Sequence, residues 1–162
     1  MRRKPRNAIA NAKLELQEAI EEILRKHRID PGNHNYDLRL RMPTYFDPLT
    51  GRVDSNESTG QNGDLILFVK KMGGKFIRIG EYYEMNGDHT SDPVISMDAG
   101  SSYWVPVRID RSVGDIFCYY IESGRRMMYP DKIEEFMSIQ RMFAQKIREQ
   151  GWLDRGIKLK RK

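Results

Sequence analysis

The chain has 162 residues, which is the usual length of one domain and enough to bury a core. With 39% hydrophobic and 31% charged residues, its composition is that of a folded protein and excludes a disordered one. It contains no run of about 18 apolar residues and no apolar segment near its N-terminus, so we expect neither a membrane span nor a secretory signal.

The positive charge belongs to the two ends of the chain. Nine of the 28 basic residues lie within residues 1–6 and 155–162, which leaves 19 against 23 acidic residues for 7–154, a net charge of −4. The pattern predicts one domain over 1–162 with short basic tails at 1–6 and 155–162. Cys118 is the only cysteine, which excludes an internal disulfide and predicts a cytoplasmic location.

The first half of the chain predicts one helix and three strands. Apolar residues at helical spacing predict an amphipathic helix over 7–28, which the Asp30-Pro31-Gly32 sequence ends. Strict alternation predicts a half-buried strand from Tyr36 to Met42, followed by a long loop over 43–63.

A β-hairpin is predicted next, with strands over 65–70 and 75–79 around Gly73 and Gly74, which tolerate the positive φ angles of a tight turn. A turn made of these two glycines implies a register that pairs Phe68 with Ile79 and Lys70 with Ile77.

The second half predicts more strands and a final helix. Strands are expected over 94–97, 103–110 and 116–122. The Asn86-Gly87-Asp88 sequence is expected to form a turn that ends the preceding strand. Pro106 predicts an edge position or a bulge for its strand. Asp131 and Glu134 have capping-box spacing, and Gly151 is placed to end the helix.

This order of elements predicts an α+β fold, an antiparallel sheet of about five to six strands with an N-terminal and a C-terminal helix packed on one face.

No motif predicts a cofactor or a catalytic residue. The 54–65 segment fails as a calcium loop because its glycine is misplaced and Leu65 replaces the glutamate ligand. The three histidines and Cys118 lack the paired spacing of a zinc site. One catalytic alternative is a metal-dependent nuclease, with Mg²⁺ bound by carboxylates near Asp88. That set is Glu81, Glu84, Asp88, Asp92 and Asp98, and turn formation explains the same residues without chemistry.

The residues predicted to bind a partner lie in the last strands. Alternation puts Trp104 on the polar face of its strand together with Arg108, which predicts a partly exposed ring suited to a protein interface. Arg125 and Arg126 follow a turn and suit a phosphate or an acidic partner. We expect these four residues to bind a host protein or ribonucleoprotein complex.

Nucleic-acid binding is the alternative hypothesis. Clusters of lysine and arginine at both termini are typical of contact with DNA or RNA, and exposed aromatic rings can stack on bases. The tail residues assigned to this contact are Arg2, Arg3, Lys4, Arg6, Lys158, Lys160, Arg161 and Lys162.

One resemblance covers about residues 77–152. The stretch "IRIGEYYEMNGDHTSDPVISMD", followed by "YWVPVRID", "FCYYIESGRRMMYP" and a helix ending in "IREQGW", resembles an uncharacterised family of phage, plasmid and integrative-element proteins. The resemblance implies a mobile-element origin and no established activity. We therefore expect a non-enzymatic accessory binding protein, with an inhibitor of a host defence system such as an anti-CRISPR protein as one form.

Overall fold

The computed structural model describes residues 12–43, 49, 64–85 and 88–159, with backbone alone at 64, 84–85 and 88–92. The elements are, in chain order, α1 (Glu15–Lys26), β1 (Tyr36–Arg41), β2 (Asp64–Met72), β3 (Phe76–Met85), β4 (Asp88–Asp98), β5 (Val105–Asp110), β6 (Ile116–Phe117), β7 (Tyr119–Glu122), β8 (Arg125–Met128), α2 (Pro130–Gln150), α3 (Trp152–Arg155) and β9 (Ile157–Lys158).

The central feature is an antiparallel sheet with strand order β6-β5-β4-β3-β2-β1-β9. Strands β7 and β8 form a separate two-stranded hairpin. The α+β prediction, with an antiparallel sheet and helices at both ends of the chain, is confirmed. Within the described residues the sheet has seven strands, more than predicted, because the two-residue strand β9 is too short to show a period of two. The strand predicted over 116–122 is divided at Cys118: residues 116–117 form β6 in the sheet, whereas 119–122 form β7 in the hairpin.

The helices pack on one face of this sheet, which we call the inner face. Helix α1 buries its apolar stripe there, at Leu16, Ile20, Ile23 and Leu24. The inner face of the four central strands supplies the opposing residues of the core, Leu38, Leu40, Leu67, Val69, Ile77, Ile79, Ile95 and Met97. The opposite face of the sheet, which we call the outer face, carries the alternate residues of the same strands.

Helix α2 begins and ends for different reasons. Its N-cap is Tyr129, which makes no side-chain capping bond, and Pro130 occupies the first turn. The predicted Asp131–Glu134 capping box is therefore wrong, since proline in the first turn needs no hydrogen-bond acceptor. Gly151 ends the helix with φ of 78°, as predicted, because glycine adopts this left-handed conformation without steric cost.

The register of the β2–β3 hairpin differs by one residue from the prediction. Met72 pairs with Phe76, which makes the turn three residues long and adds Lys75 to the two glycines. Phe68 consequently pairs with Gly80, and Lys70 pairs with Arg78. Turn length sets the register of a hairpin, so one additional loop residue shifts every cross-strand pair.

Strands β3 and β4 are longer than the predicted strands at 75–79 and 94–97, and they extend to the sequence at 86–88 that was predicted to end a strand. Strand β4 begins at Asp88 and contains Pro93. A bulge between the Gly80 and Tyr82 pairings adjoins this proline, and Val94 is the first β4 residue that pairs with β5. Proline is tolerated in a strand where the ladder is interrupted.

The predicted C-terminal tail contributes to the sheet. Arg155 ends α3, and β9 pairs Ile157 with Arg41 and Lys158 with Leu40. The backbone N–H of Leu159 also donates to the carbonyl of Arg39, at 2.9 Å. Residues 155–159 therefore cover one edge of the sheet, and assigning them to a free tail is wrong.

Candidate functional site

Trp104 lies in the core, which corrects the prediction of an exposed ring. It is 2% exposed, and its backbone N–H donates to the Gln17 side chain at 2.8 Å. The cause is a bulge in β5: Met97 pairs with Pro106 and Ser96 with Arg108. The residue skipped between them, Val107, reverses the alternation, so Trp104 shares the inner face with Ile109.

This bulge confirms the prediction that the strand containing Pro106 lies at an edge or contains a bulge. It leaves Arg108 on the outer face, where its Nε donates to the Asp110 carboxylate at 2.9 Å. The guanidinium group also lies over the Phe117 ring, 4.8 Å from the centroid. Arg108 is thus accessible but held by an ion pair and a cation–π contact.

Arg125 and Arg126 lie on the β7–β8 hairpin, whose turn residues Ser123 and Gly124 have φ of 50° and 74°. Arg125 is exposed. Arg126 pairs with Asp98 at 3.1 Å and lies 4.5 Å from the centroid of Tyr119. This ion pair attaches the hairpin to the end of β4, so Arg126 has a structural partner as well as an accessible side.

The predicted nucleic-acid residues of the tails are mostly outside the described residues, namely Arg2, Arg3, Lys4, Arg6, Lys160, Arg161 and Lys162. Lys158 is described, and it is an exposed residue of β9.

The carboxylates proposed to bind Mg²⁺ do not come together at those positions whose side chains the structure describes. Glu81 lies on the inner face, where it accepts a bond from Trp152, whereas Asp98 lies on the outer face with Arg126. The side chains of Glu84, Asp88 and Asp92 are outside the described residues. In the part of the chain with described side chains, no three histidine, cysteine or acidic residues are grouped to hold a metal ion. Burial raises the pKa of the Cys118 thiol to about 12, with a smaller contribution from Glu135, so this thiol is no nucleophile near neutral pH.

The outer face carries two neighbouring cations, Lys70 and Arg78, beside one carboxylate, because Asp37 on β1 is in register with Lys70. Lys70 and Arg78 lie directly opposite each other on β2 and β3, at a separation of about 5 Å between their Cβ atoms. Neither side chain forms an ion pair or a hydrogen bond with any residue that the structure describes. The neighbouring arginines differ in this respect, because Arg39, Arg108 and Arg126 each pair with an aspartate.

Two accessible aromatic rings lie on the same face of the sheet as the cations. Phe76 is 41% exposed and lies two residues before Arg78 on the same face of β3. Phe117 is 50% exposed and lies at the β6 edge, three strands from Phe76 or about 14 Å across the sheet. Positive side chains and exposed aromatic rings on one face form an arrangement that proteins use to bind single-stranded nucleic acid.

The comparisons identify no relative. No family model matches the chain, no curated protein matches it, and no solved structure matches its fold. The mobile-element resemblance stays a prediction. No helix in the described part of the chain is both long and apolar enough to cross a membrane.

The pairing of Lys70 with Arg78 was not predicted from the sequence, because both residues belong to apolar-rich strands whose predicted register was wrong by one residue. The detectable signal was the loop "MGGKF", which admits a three-residue turn as readily as a two-residue one.

Proposed function

We propose that this protein is a non-enzymatic binding protein whose outer face binds single-stranded nucleic acid. The observation that carries the proposal is the cross-strand neighbours Lys70 and Arg78, neither of which forms an ion pair with a described residue. Like charges directly opposite each other on neighbouring strands destabilise a sheet. The carboxylate in register with Lys70 on its other side, Asp37, forms its ion pair with Arg39, so an anionic ligand explains the placement of the two cations. Phosphate groups supply that charge, and Phe76 and Phe117 supply stacking surfaces for bases.

The proposal predicts salt-dependent binding that depends on this face. A labelled single strand of about 12 nucleotides is titrated by fluorescence anisotropy at several salt concentrations. The double variant Lys70→Gln/Arg78→Gln is expected to bind about tenfold or more weakly. Its salt dependence is expected to be shallower by about 1.4 in log–log slope, because each phosphate contact on a single strand contributes about 0.7.

Two controls separate the outer face from general charge and from the tails. Lys132→Gln/Arg141→Gln removes the same charge from α2, where both residues are exposed, and is expected to bind like the wild type. Deletion of 1–6 and 160–162 tests the tails. Binding that is lost on tail deletion and unaffected by the Lys70/Arg78 variant would contradict the outer-face proposal and support the tails instead.

A protein partner is the second candidate, and the β7–β8 hairpin favours it. Ile121 is 64% exposed at the hairpin and shares one hairpin face with Arg126, directly opposite it, and with Tyr119. On the other face Tyr120 contacts Tyr129, with ring centroids 4.8 Å apart and planes tilted by 36°. Tyrosine, arginine and an exposed aliphatic residue on one projecting element resemble a protein-binding hot spot. The partner proposed here is a host protein or ribonucleoprotein complex.

Affinity capture from a host lysate, with and without nuclease, separates the two candidates. A protein captured equally in both conditions, and lost with Ile121→Asp, supports the hairpin. Val113→Asp is the matched control, because Val113 is also an exposed apolar residue in a turn. Capture that requires intact nucleic acid supports the outer face. The mobile-element role, the cytoplasmic location and inhibition of a host defence system are proposed on the resemblance and composition alone.

A further inference from the structure

A polar cleft of about 530 Å³ lies on the side of the molecule opposite the outer face. Its walls are α1, the loop after α1, the C-terminal end of β2 and the Ala99–Ser102 loop. The charged residues that line it are Lys13, Arg25 and Lys71, against Glu21 and Asp30. Three cations and two carboxylates give the lining a net charge of +1.

Lys71 is the unusual member of this set. It lies on the inner face of β2, two residues after the core residue Val69, and it is only 3% exposed. Its ammonium group donates to the carbonyl of Pro31 at 3.0 Å and lies 5.8 Å from the Tyr36 ring centroid. It forms no ion pair with any carboxylate in the described part of the chain. Buried charges in proteins are normally paired, because desolvation of an isolated charge is costly.

The two carboxylates of the cleft are already engaged. Glu21 is buried and lies 2.7 Å from Lys13 Nζ and 3.8 Å from an Arg25 nitrogen. Asp30 accepts a hydrogen bond from the backbone N–H of Gly32 at 2.9 Å. Asp30 partly offsets the effect of burial, which lowers the pKa of Lys71. Neither carboxylate therefore neutralises the Lys71 ammonium group by direct contact.

The wall opposite Lys71 is held in place. Gln17 is fully buried, and its side chain donates to the carbonyl of Ser102 at 2.7 Å while accepting from the backbone N–H of Trp104 at 2.8 Å. These two bonds attach the serine-containing loop to α1. Ser101 and Ser102 line the cleft together with Lys71. The Ser101 hydroxyl already donates to the carbonyl of Tyr103, at 2.9 Å, which leaves Ser102 as the available hydroxyl donor of this loop.

We infer that this cleft binds a small phosphate-bearing ligand, with Lys71 as its counter-ion and the Ser102 hydroxyl as a hydrogen-bond donor. A compact oxyanion supplies the missing partner of the buried ammonium group, and ammonium and hydroxyl groups together suit phosphate oxygens. The inference does not depend on the proposed function, because the cleft is on the other side of the sheet.

Inorganic phosphate is the probe. Thermal unfolding is measured against increasing phosphate, with sodium chloride of equal ionic strength as the reference. Wild-type protein is expected to show a phosphate-specific rise in Tm of about 3 °C or more, since a ligand that binds only the folded state stabilises it. Lys71→Met removes the counter-ion and is expected to abolish that rise.

A second variant keeps the test decisive if Lys71→Met does not fold. Ser102→Asp places a carboxylate at the exposed rim of the cleft and is expected to abolish the phosphate effect by repulsion. Ser138→Asp is its matched control, an exposed serine on α2, and is expected to retain the full effect. The inference is overturned if phosphate does not stabilise the wild type beyond chloride. It is equally overturned if Ser102→Asp and Ser138→Asp respond alike.

Discussion

Trp152 donates its indole N–H to the carboxylate of Glu81 at 3.0 Å, within the core between α3 and β3. The indole is fully buried, and Glu81 is nearly so. The same N–H also lies 2.9 Å from the Gln150 side chain, and Lys146 Nζ lies 3.2 Å from the second oxygen of Glu81. This contact joins the C-terminal segment to the centre of the sheet, and without it a buried carboxylate loses a donor.

Removing the indole donor is therefore expected to be costly. Trp152→Phe should lower the free energy of unfolding by about 2 kcal/mol or more, because Glu81 is left with one partner in the interior. Gln150→Ala removes only the alternative acceptor and should cost less than about 1 kcal/mol. Denaturant titration measures both. Adding Glu81→Gln to Trp152→Phe should recover part of the loss; a purely additive result would show that the pair is not coupled.

The opposed cations on the outer face predict a variant that is more stable than the wild type. Arg78→Gln removes the repulsion with Lys70 and should raise the free energy of unfolding by about 0.2–1 kcal/mol at low salt. Arg78→Lys keeps the charge and should give no gain. The difference should shrink in concentrated salt, which screens exposed charges. A loss of stability in Arg78→Gln at low salt would mean that Arg78 has a stabilising role in the folded protein.

Trp104 is expected to behave as a core residue in spectroscopy. In Trp152→Phe the remaining indole is Trp104, and its emission should be blue-shifted and insensitive to iodide, because the side chain is almost fully buried. Trp104→Ala should destabilise the protein by about 3–5 kcal/mol, which is the usual cost of deleting a large buried aromatic ring. Red-shifted, quenchable emission would contradict the buried placement.

His27 predicts a pH dependence of stability. Burial lowers the pKa of His27, and the nearby Lys158 and Lys26 lower it further. The unfolded chain, with a histidine pKa of about 6.5, therefore binds the proton more readily than the folded protein. The His27 contribution to stability is present above pH 6.5 and is lost as the pH falls towards the folded pKa. His27→Gln should have a flatter stability profile between pH 7.5 and 5 than the wild type, measured by denaturant titration at each pH.

Much of the secondary structure was predictable because it depends on local periodicity. Helix α1 follows from apolar residues at helical spacing, β1 from strict alternation, and the end of α2 from Gly151. Elements of two residues, such as β9, were not predictable, because they are too short to show a period and form only when a partner strand is adjacent.

Which side chains share a face was decided by the tertiary structure. One additional turn residue, Lys75, places Lys70 opposite Arg78, and one bulged residue, Val107, moves Trp104 from the surface to the core. Side chains alternate with a period of two, so a shift of a single residue reverses a face, whereas the local pattern of apolar residues hardly changes. The sequence by itself therefore determined the class of fold and most of its elements. The candidate binding face and the buried Lys71 depend on register and on contacts between distant segments, which only the folded chain specifies.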